Sequence, residues 1–384
     1  MSKIGILTHY YRAKNIGGLL QAYALPAFLR AQGMAAEQLA FDGSGSEKQA
    51  RKILGQLALR KLLKDPLLGM KRFYQKCRNR KIAVQIRKQD NVFEAFEQFV
   101  AHAERVYNGA NINQANAHYD AFITGSDQVF ASYLVTAGVY YGEFAAPDKK
   151  VISYAASSNV KQFSPEIEQL FVQKLARLNA VSVREKTLQN YIGRISDKKA
   201  EVVLDPTFLL SPKMWLEIAN AASIPQKPYI FCYFLGGKSA WQRQKARAYA
   251  DQYGYELVHL PFIMRSIRPA DRALRGQARF DVGPREFIAL ISGAQAVFTD
   301  SFHGMAFAIN FGKNFYVFDR DDASGAGSMN ARITDTLEML GLGARRITDK
   351  NAVLDNAPLD FARAHEILEK QKRFSAQWLL DALN

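Results

Sequence analysis

The segment VFTDSFHGMAFAINFGKNFYVF, residues 297–318, sets the architecture of this 384-residue chain. An apolar strand stops at the polar edge Thr299-Asp300-Ser301, the pair His303-Gly304 follows, and an apolar helix then leads into a second apolar strand. This is a βαβ unit with polar residues at the carboxyl end of its first strand, where open α/β sheets place their ligands. His303 falls in the turn beside Ser301, ahead of a helix whose first amides can receive an anion. A titratable imidazole next to an anion-receptive helix start points to acid/base chemistry on a phosphorylated or carboxylated substrate.

The same alternation extends in both directions. Strands are expected at 3–7, 36–41, 120–124, 151–155, 180–183 and 201–204, with helices at 19–32, 91–103, 164–178 and 186–192 between them. After a helix at 214–219 and a linker at 222–228 marked by Pro225 and Pro228, the pattern restarts. Strands at 229–235 and 256–260 and helices at 241–253 and 284–292 precede the opening segment; helices at 333–340 and 363–380 follow it. Each strand ends in polar or glycine residues, which indicates an α/β fold of two doubly wound, Rossmann-like domains facing a central cleft. The expected domains are residues 1–220, with a basic helical insertion at about 45–90, and residues 221–384, the terminal helix packing back on the first domain. A ligand between the domains is the structural expectation.

Composition narrows the class. An apolar fraction of 48% and a charged fraction of 23% describe an ordinary globular protein rather than a disordered one. No apolar run is long enough to span a bilayer, and the start MSKIGILTHY lacks the charged-then-apolar order of a signal peptide, so a cytoplasmic location is expected. Cys77 and Cys232 form no CxxC pair, and neither they nor His9, His102, His118, His259 and His365 have metal-ligand spacing, so no metal is expected. The net charge of +15 is concentrated between Lys48 and Lys88, where Asp65 is the sole acid and leucines interleave with the bases. Such a segment suits an anionic membrane surface, which makes the inner face of the membrane a second expected location; a solvated basic insertion is the other reading. The charge comes without an aromatic-rich basic strand, so no nucleic-acid partner is expected.

The succession NIGGLLQAYAL from Asn15, YDAFITGSDQVF from Tyr119, ISYAASSN from Ile152, SVREKT from Ser182, VLDPTFLL from Val203, FTDSFHGMAFAINF from Phe298 and NARI from Asn330 resembles the polysaccharide pyruvyl transferase family. GSDQ and DSFHG are the more specific of these motifs, and their order matches over nearly the whole chain. The resemblance implies a GT-B-like fold. It also implies transfer of the pyruvyl group of phosphoenolpyruvate to two hydroxyls of a sugar, as in exopolysaccharide or capsule assembly at the cell envelope, giving a cyclic ketal and free phosphate. Phosphoenolpyruvate is then the donor substrate, no cofactor is called for, and the acceptor is a sugar in a glycan precursor, lipid-linked or nucleotide-linked.

That chemistry assigns roles to residues. Phosphoenolpyruvate carries a phosphate and a carboxylate, and the guanidinium fork pairs bidentately with either. Arg184 at a strand end and Arg332 in the loop after Asn330 are the candidate cations, with Ser301 and Gly304 at the helix start and Asn330 completing the donor site; Lys313 and Arg320 are weaker candidates. Some family members carry an Arg where this chain has Ser301, so here a hydroxyl and a helix start meet the phosphate and the cation comes from elsewhere. His303, with an ordinary pKa of about 6.5, is the expected proton carrier. Asp127 is a second proton acceptor or, alternatively, a helix cap. Asn15, Gly17, Gly18 and Gln21, in a strand-to-helix turn, together with Ser126 and Gln128, are expected to bind the acceptor sugar. Gly125 and Asp205-Pro206 read as structural turns.

Two other classes stay open. A nucleotide-sugar glycosyltransferase of the same architecture would want a carboxylate for the ribose hydroxyls, and residues 305–312 after the His-Gly pair contain no acid. A non-catalytic carbohydrate-binding protein would have no use for His303.

Overall fold

A computed structural model of the chain describes residues 3–43, 83–158, 162–237, 239–261, 268–320 and 327–384. Cys77, Asn159 and the basic segment up to residue 82 lie outside them. Seven parallel strands form the first sheet: β1 (Lys3–Leu7), β2 (Ala35–Phe41), β3 (His102–Tyr107), β4 (Ala121–Thr124), β5 (Lys150–Ala156), β6 (Ala180–Val183) and β7 (Ala200–Val202). Their spatial order is β3-β2-β1-β4-β5-β6-β7. The second sheet, also parallel, comprises β8 (Tyr229–Tyr233), β9 (Glu256–His259), β10 (Gln277–Ala278), β11 (Ala296–Thr299), β12 (Asn314–Phe318) and β13 (Arg346–Ile347), in the order β10-β9-β8-β11-β12-β13. Each sheet reverses its strand order once, between β1 and β4 and between β8 and β11. Those crevices are where doubly wound sheets hold ligands.

Burial explains why the strands read so clearly. Every residue of β8 (YIFCY) and β11 (AVFT) is buried, as are all but the first of β5. Strands covered by helices on both faces lose the in/out alternation and become continuous apolar runs. The covering helices are α1 (Ile16–Ala31), α2 (Ala83–Glu97), α3 (Pro165–Leu175), α4 (Lys186–Ile195), α5 (Pro206–Leu209), α6 (Pro212–Ile218), α7 (Ala240–Tyr253), α8 (Pro284–Gly293), α9 (Phe302–Asn310), α10 (Gly327–Met339) and α11 (Ala362–Leu383). The core is continuous between the two halves: α1 of the first touches α8 of the second, and one apolar cluster contains Leu20, Leu25, Trp215, Phe287 and Phe307.

Several elements differ from expectation. The helix expected at 91–103 spans Ala83–Glu97 instead, and His102–Tyr107 forms the edge strand β3, which was not anticipated. Helix α1 begins at Ile16, so Gly17 and Gly18 lie in its first turn rather than in an open loop. Helix α10 begins at Gly327, which puts Asn330 and Arg332 inside a helix and not ahead of one. Helix α11 bridges the halves. Its start places the Phe361 ring near Phe315, and His365 Nε2 lies 2.9 Å from Ile309 O. Its end packs Trp378 near Tyr154, while Ser375 Oγ accepts from Leu204 N at 2.9 Å.

Candidate active site

The opening segment builds one wall of the cleft. Ser301 caps α9, its Oγ accepting from Gly304 N at 3.4 Å, while Ser301 N donates to Thr299 Oγ1 at 3.0 Å. A β-carbon on Gly304 would lie 2.5 Å from Thr299 Oγ1, so only glycine lets the helix sit this close to the strand end. The Asp300 carboxylate accepts from Leu235 N and Gly236 N, both at 2.6 Å, and so locks the end of β8 beside β11. His303 is therefore the second residue of α9, not a turn residue, and its ring projects from a helix fixed by Asp300, Thr299 and Ser301.

The opposite wall comes from the first sheet. A β-carbon placed on Gly17 would fall 1.9 Å from His303 Nδ1, so the imidazole edge rests directly on the first turn of α1. Asn15, which is exposed, caps that helix by accepting from Gly18 N at 3.3 Å. Gln21 and Ser126 are fully enclosed. Gln21 donates to Thr8 Oγ1 and Gly18 O, both at 2.9 Å, and accepts from Ser126 N at 3.1 Å. Ser126 Oγ lies 2.9 Å from Ala155 O and 3.1 Å from Asp205 Oδ2. Gln21 and Ser126 thus tie β1, α1 and β4 together and present no open face to a sugar, contrary to the role expected for them. Gly17 and Gly18 meet a histidine ring and a capping side chain rather than an open ligand surface. Gln128 is half-buried in the turn after Asp127.

Between these walls lies a buried ionic network. Arg184, at the end of β6, pairs with Asp205 and with Asp127 (3.3 Å), and its guanidinium sits 4.5 Å from the centre of the Phe302 ring. Arg332, from α10, reaches to 3.7 Å from the same Asp127 oxygen. His303 Nε2 stands 3.8 Å from Asp205 Oδ2. The structure thus brings His303, Asp127, Arg184 and Arg332 together from four separate segments. It adds Asp205, which caps α5 through Thr207 N (3.0 Å), and Glu185, which accepts the Ser157 hydroxyl. Asn330 Oδ1 accepts from Arg320 N at 3.2 Å, and Arg320 Nε donates to Asp300 O at 3.2 Å. Asn330 therefore positions Arg320 at the margin of the network.

Burial makes the charges of this network interdependent. It drives the His303 imidazole down; Asp205 and Asp127 oppose this, Arg184 and Arg332 reinforce it, and the result is about 4. Burial raises the Asp127 carboxyl, but Arg184, His303, Arg332 and His9 outweigh it and hold the group at about 2. Asp205 is likewise lowered by Arg184 and His303 against its burial. Burial, with Arg184 and Arg320 beside it, brings Arg332 down to about 10. Both aspartates are firmly ionised at neutral pH and the histidine is neutral. Among the described residues, His303 Nε2, Arg184 Nε and Arg332 Nε are buried without a hydrogen-bond partner. Unsatisfied cationic donors beside a neutral imidazole make a site that can take an anion and, once it is bound, a proton.

Asp205 escaped the sequence reading because an Asp-Pro pair reads equally well as a helix start, which it also is. Its position directly after a strand, like that of Arg184 and Asp127, was the available signal. A cavity of ≈ 490 Å³ borders Arg184, Asp205 and Phe302 and extends to Asp335 and Met339 of α10. Among the described residues no cluster of three or more His, Cys, Asp or Glu side chains is arranged to hold a metal ion.

Comparison with known proteins adds a family. The model of the polysaccharide pyruvyl transferase family matches residues 15–322. Among solved structures, the chain is similar to the UDP-GlcNAc 2-epimerase from Methanocaldococcus jannaschii at 10% identity and TM-score 0.50, covering 96% of this chain and 91% of that one. It is also similar to a putative UDP-N-acetylglucosamine 2-epimerase from Listeria monocytogenes, at 14% identity and TM-score 0.46, over 96% of this chain and 95% of that one. Identities this low speak of fold alone, and the fold is GT-B-like: two α/β domains, each with a parallel sheet. No curated protein matches the sequence.

Proposed function

Because the chain belongs to the polysaccharide pyruvyl transferase family, we propose that it moves the pyruvyl group of phosphoenolpyruvate onto two hydroxyls of an acceptor sugar, forming a ketal and releasing phosphate. The observation that carries this reading is His303 lodged between the two sheets, beside a buried network in which Arg184 pairs with Asp205 and Asp127 and Arg332 approaches Asp127. Arg332, with Arg320 near it, is the source of positive charge for a donor whose phosphate finds a serine at position 301.

The protons balance as follows. The methylene carbon of phosphoenolpyruvate gains one proton, two acceptor hydroxyls lose one each, and the remaining proton leaves with the phosphate. His303 delivers the proton to the methylene carbon. The ring is neutral in the free protein and takes up this proton once the donor is bound, because the anions of phosphoenolpyruvate offset the two arginines that help hold it unprotonated. The resulting cationic carbon at C2 is attacked by the first hydroxyl, phosphate departs, and the second hydroxyl closes the ketal. Asp127 receives the proton of one acceptor hydroxyl and passes it to the departing phosphate, and the proton of the other returns to His303. Asn15 and Gln128, the less buried members of the expected acceptor set, are the residues left to meet the sugar.

Phosphate release from phosphoenolpyruvate in the presence of candidate sugars tests the reading. His303→Gln should lower kcat by about 10²- to 10⁴-fold, while calorimetry still detects phosphoenolpyruvate binding. Turnover of a nucleotide sugar without phosphate release from any phosphoenolpyruvate–sugar pair would overturn it.

A further inference from the structure

We infer that Asp205 is a positioning residue for His303, holding the Nε2 proton of the imidazole so that Nδ1 exchanges protons with the reacting groups; the catalytic part of this inference rests on the pyruvyl-transfer reading. A helix cap needs one carboxylate oxygen, and Asp205 supplies it with Oδ1, which accepts from Thr207 N at 3.0 Å and Thr207 Oγ1 at 2.7 Å. The other oxygen would face solvent in an ordinary Asp-Pro helix start. Here the residue is 1% exposed, and Oδ2 meets Arg184, Ser126 Oγ at 3.1 Å and His303 Nε2 at 3.8 Å.

The geometry gives the two ring nitrogens different surroundings. Nε2 is buried and has no hydrogen-bond partner among the described residues, with the Asp205 carboxylate the acid nearest to it by ion-pair distance. An approach of less than about 1 Å would make a charge-assisted hydrogen bond as the ring becomes protonated. Nδ1 lies on the side of Gly17, at the boundary between the halves. With Nε2–H held by Oδ2, the tautomer is fixed, and the proton that comes and goes is the one on Nδ1. The charged groups acting on this ring are Asp205 at the start of α5, Asp127 after β4, Arg184 after β6 and Arg332 on α10. Without the charge of Asp205, the imidazolium faces two arginines with Asp127 alone in its favour.

Asp205→Asn keeps the shape and an acceptor for Thr207 while removing the charge. The His303 ring titration, followed by NMR and assigned by its disappearance in His303→Gln, should move down by about one pH unit or more, and the alkaline limb of the kcat–pH profile, where the proton donor is lost, should move down with it. An unchanged titration in a folded Asp205→Asn protein overturns the assignment. If that variant does not fold, the carboxyl carbon signal of Asp205 in the unsubstituted protein should carry a step at the His303 titration that His303→Gln removes, and absence of the step is equally decisive. Should the unsubstituted protein release no phosphate from phosphoenolpyruvate, the transfer reading fails, while these titrations still decide whether Asp205 governs His303.

Discussion

Gly17 has a hydrogen where any other residue type would have a β-carbon, and the His303 ring fills the difference. Gly17→Ala should therefore displace either the imidazole or the start of α1, lowering kcat by about 100-fold at a cost of about 1–3 kcal/mol in stability. Steady-state kinetics beside urea unfolding checks this, and full activity would mean that the ring does not need its place against α1. The residues that converge on the site were partly visible in the sequence for one reason: His303, Asp127 and Arg184 each follow a strand, and strand ends meet in this kind of fold. What could not be seen is which polar groups are already spent. Gln21 and Ser126 have the chemistry of sugar ligands, yet their hydrogen bonds hold β1 to β4, and such pairing is a property of contacts about a hundred residues apart in sequence.

Helix α10, together with α9, joins the second half to the network of the first. Arg332 and Asp335, three positions apart and so on one face of the helix, reach Asp127 and the start of α4 respectively; Asp335 Oδ2 accepts from Thr187 N at 3.2 Å. Asp335→Ala should remove a cap supplied from outside the capped helix, costing about 1 kcal/mol. It should also raise KM for phosphoenolpyruvate more than it lowers kcat, because Arg332 is seated by the same helix. Unfolding curves and kinetics measure the two effects, and an unaltered KM would separate Arg332 from the seating of its helix. The elements that eluded the sequence are weak ones. β3 reads HAERVY, with only Ala103 and Tyr107 buried, so it lacks the apolar run of a central strand. The apolar spacing of Phe93, Phe96, Phe99, Val100 and Ala103 continues helical periodicity past the point where α2 ends.

For the whole molecule, the buried network makes stability depend on acid. His303 lies at about 4 in the folded protein against 6.5 for the free side chain. The unfolded chain therefore takes up this proton first as pH falls, and stability drops through the window from 6.5 to 4. Asp127, at about 2 against 3.8, adds a second loss between those values. Urea midpoints measured against pH should show both losses. His259, lowered to about 4 by burial and Arg243, shares the upper window, so His303→Gln should shrink the upper loss rather than remove it. An upper loss unchanged by that substitution would show that the His303 ring is not held neutral in the folded state. The doubly wound architecture was legible because both sheets are parallel and buried, which turns strands into apolar runs and strand ends into polar punctuation. No helix among the described residues is long and apolar enough to cross a membrane.

The terminal helix has a mechanical consequence. The chain passes from the first half to the second between β7 and β8 and returns along the 22 residues of α11, about 33 Å of rigid rod, anchored at one end by His365 and at the other by Ser375 and Trp378. Its anchors lie on both halves, Ile309 on the second and Leu204 and Tyr154 on the first, so α11 braces the apolar core that the two share. Gly17 and His303 face each other across the seam that this brace holds closed, so the contact between them is kept in place from the far side of the molecule.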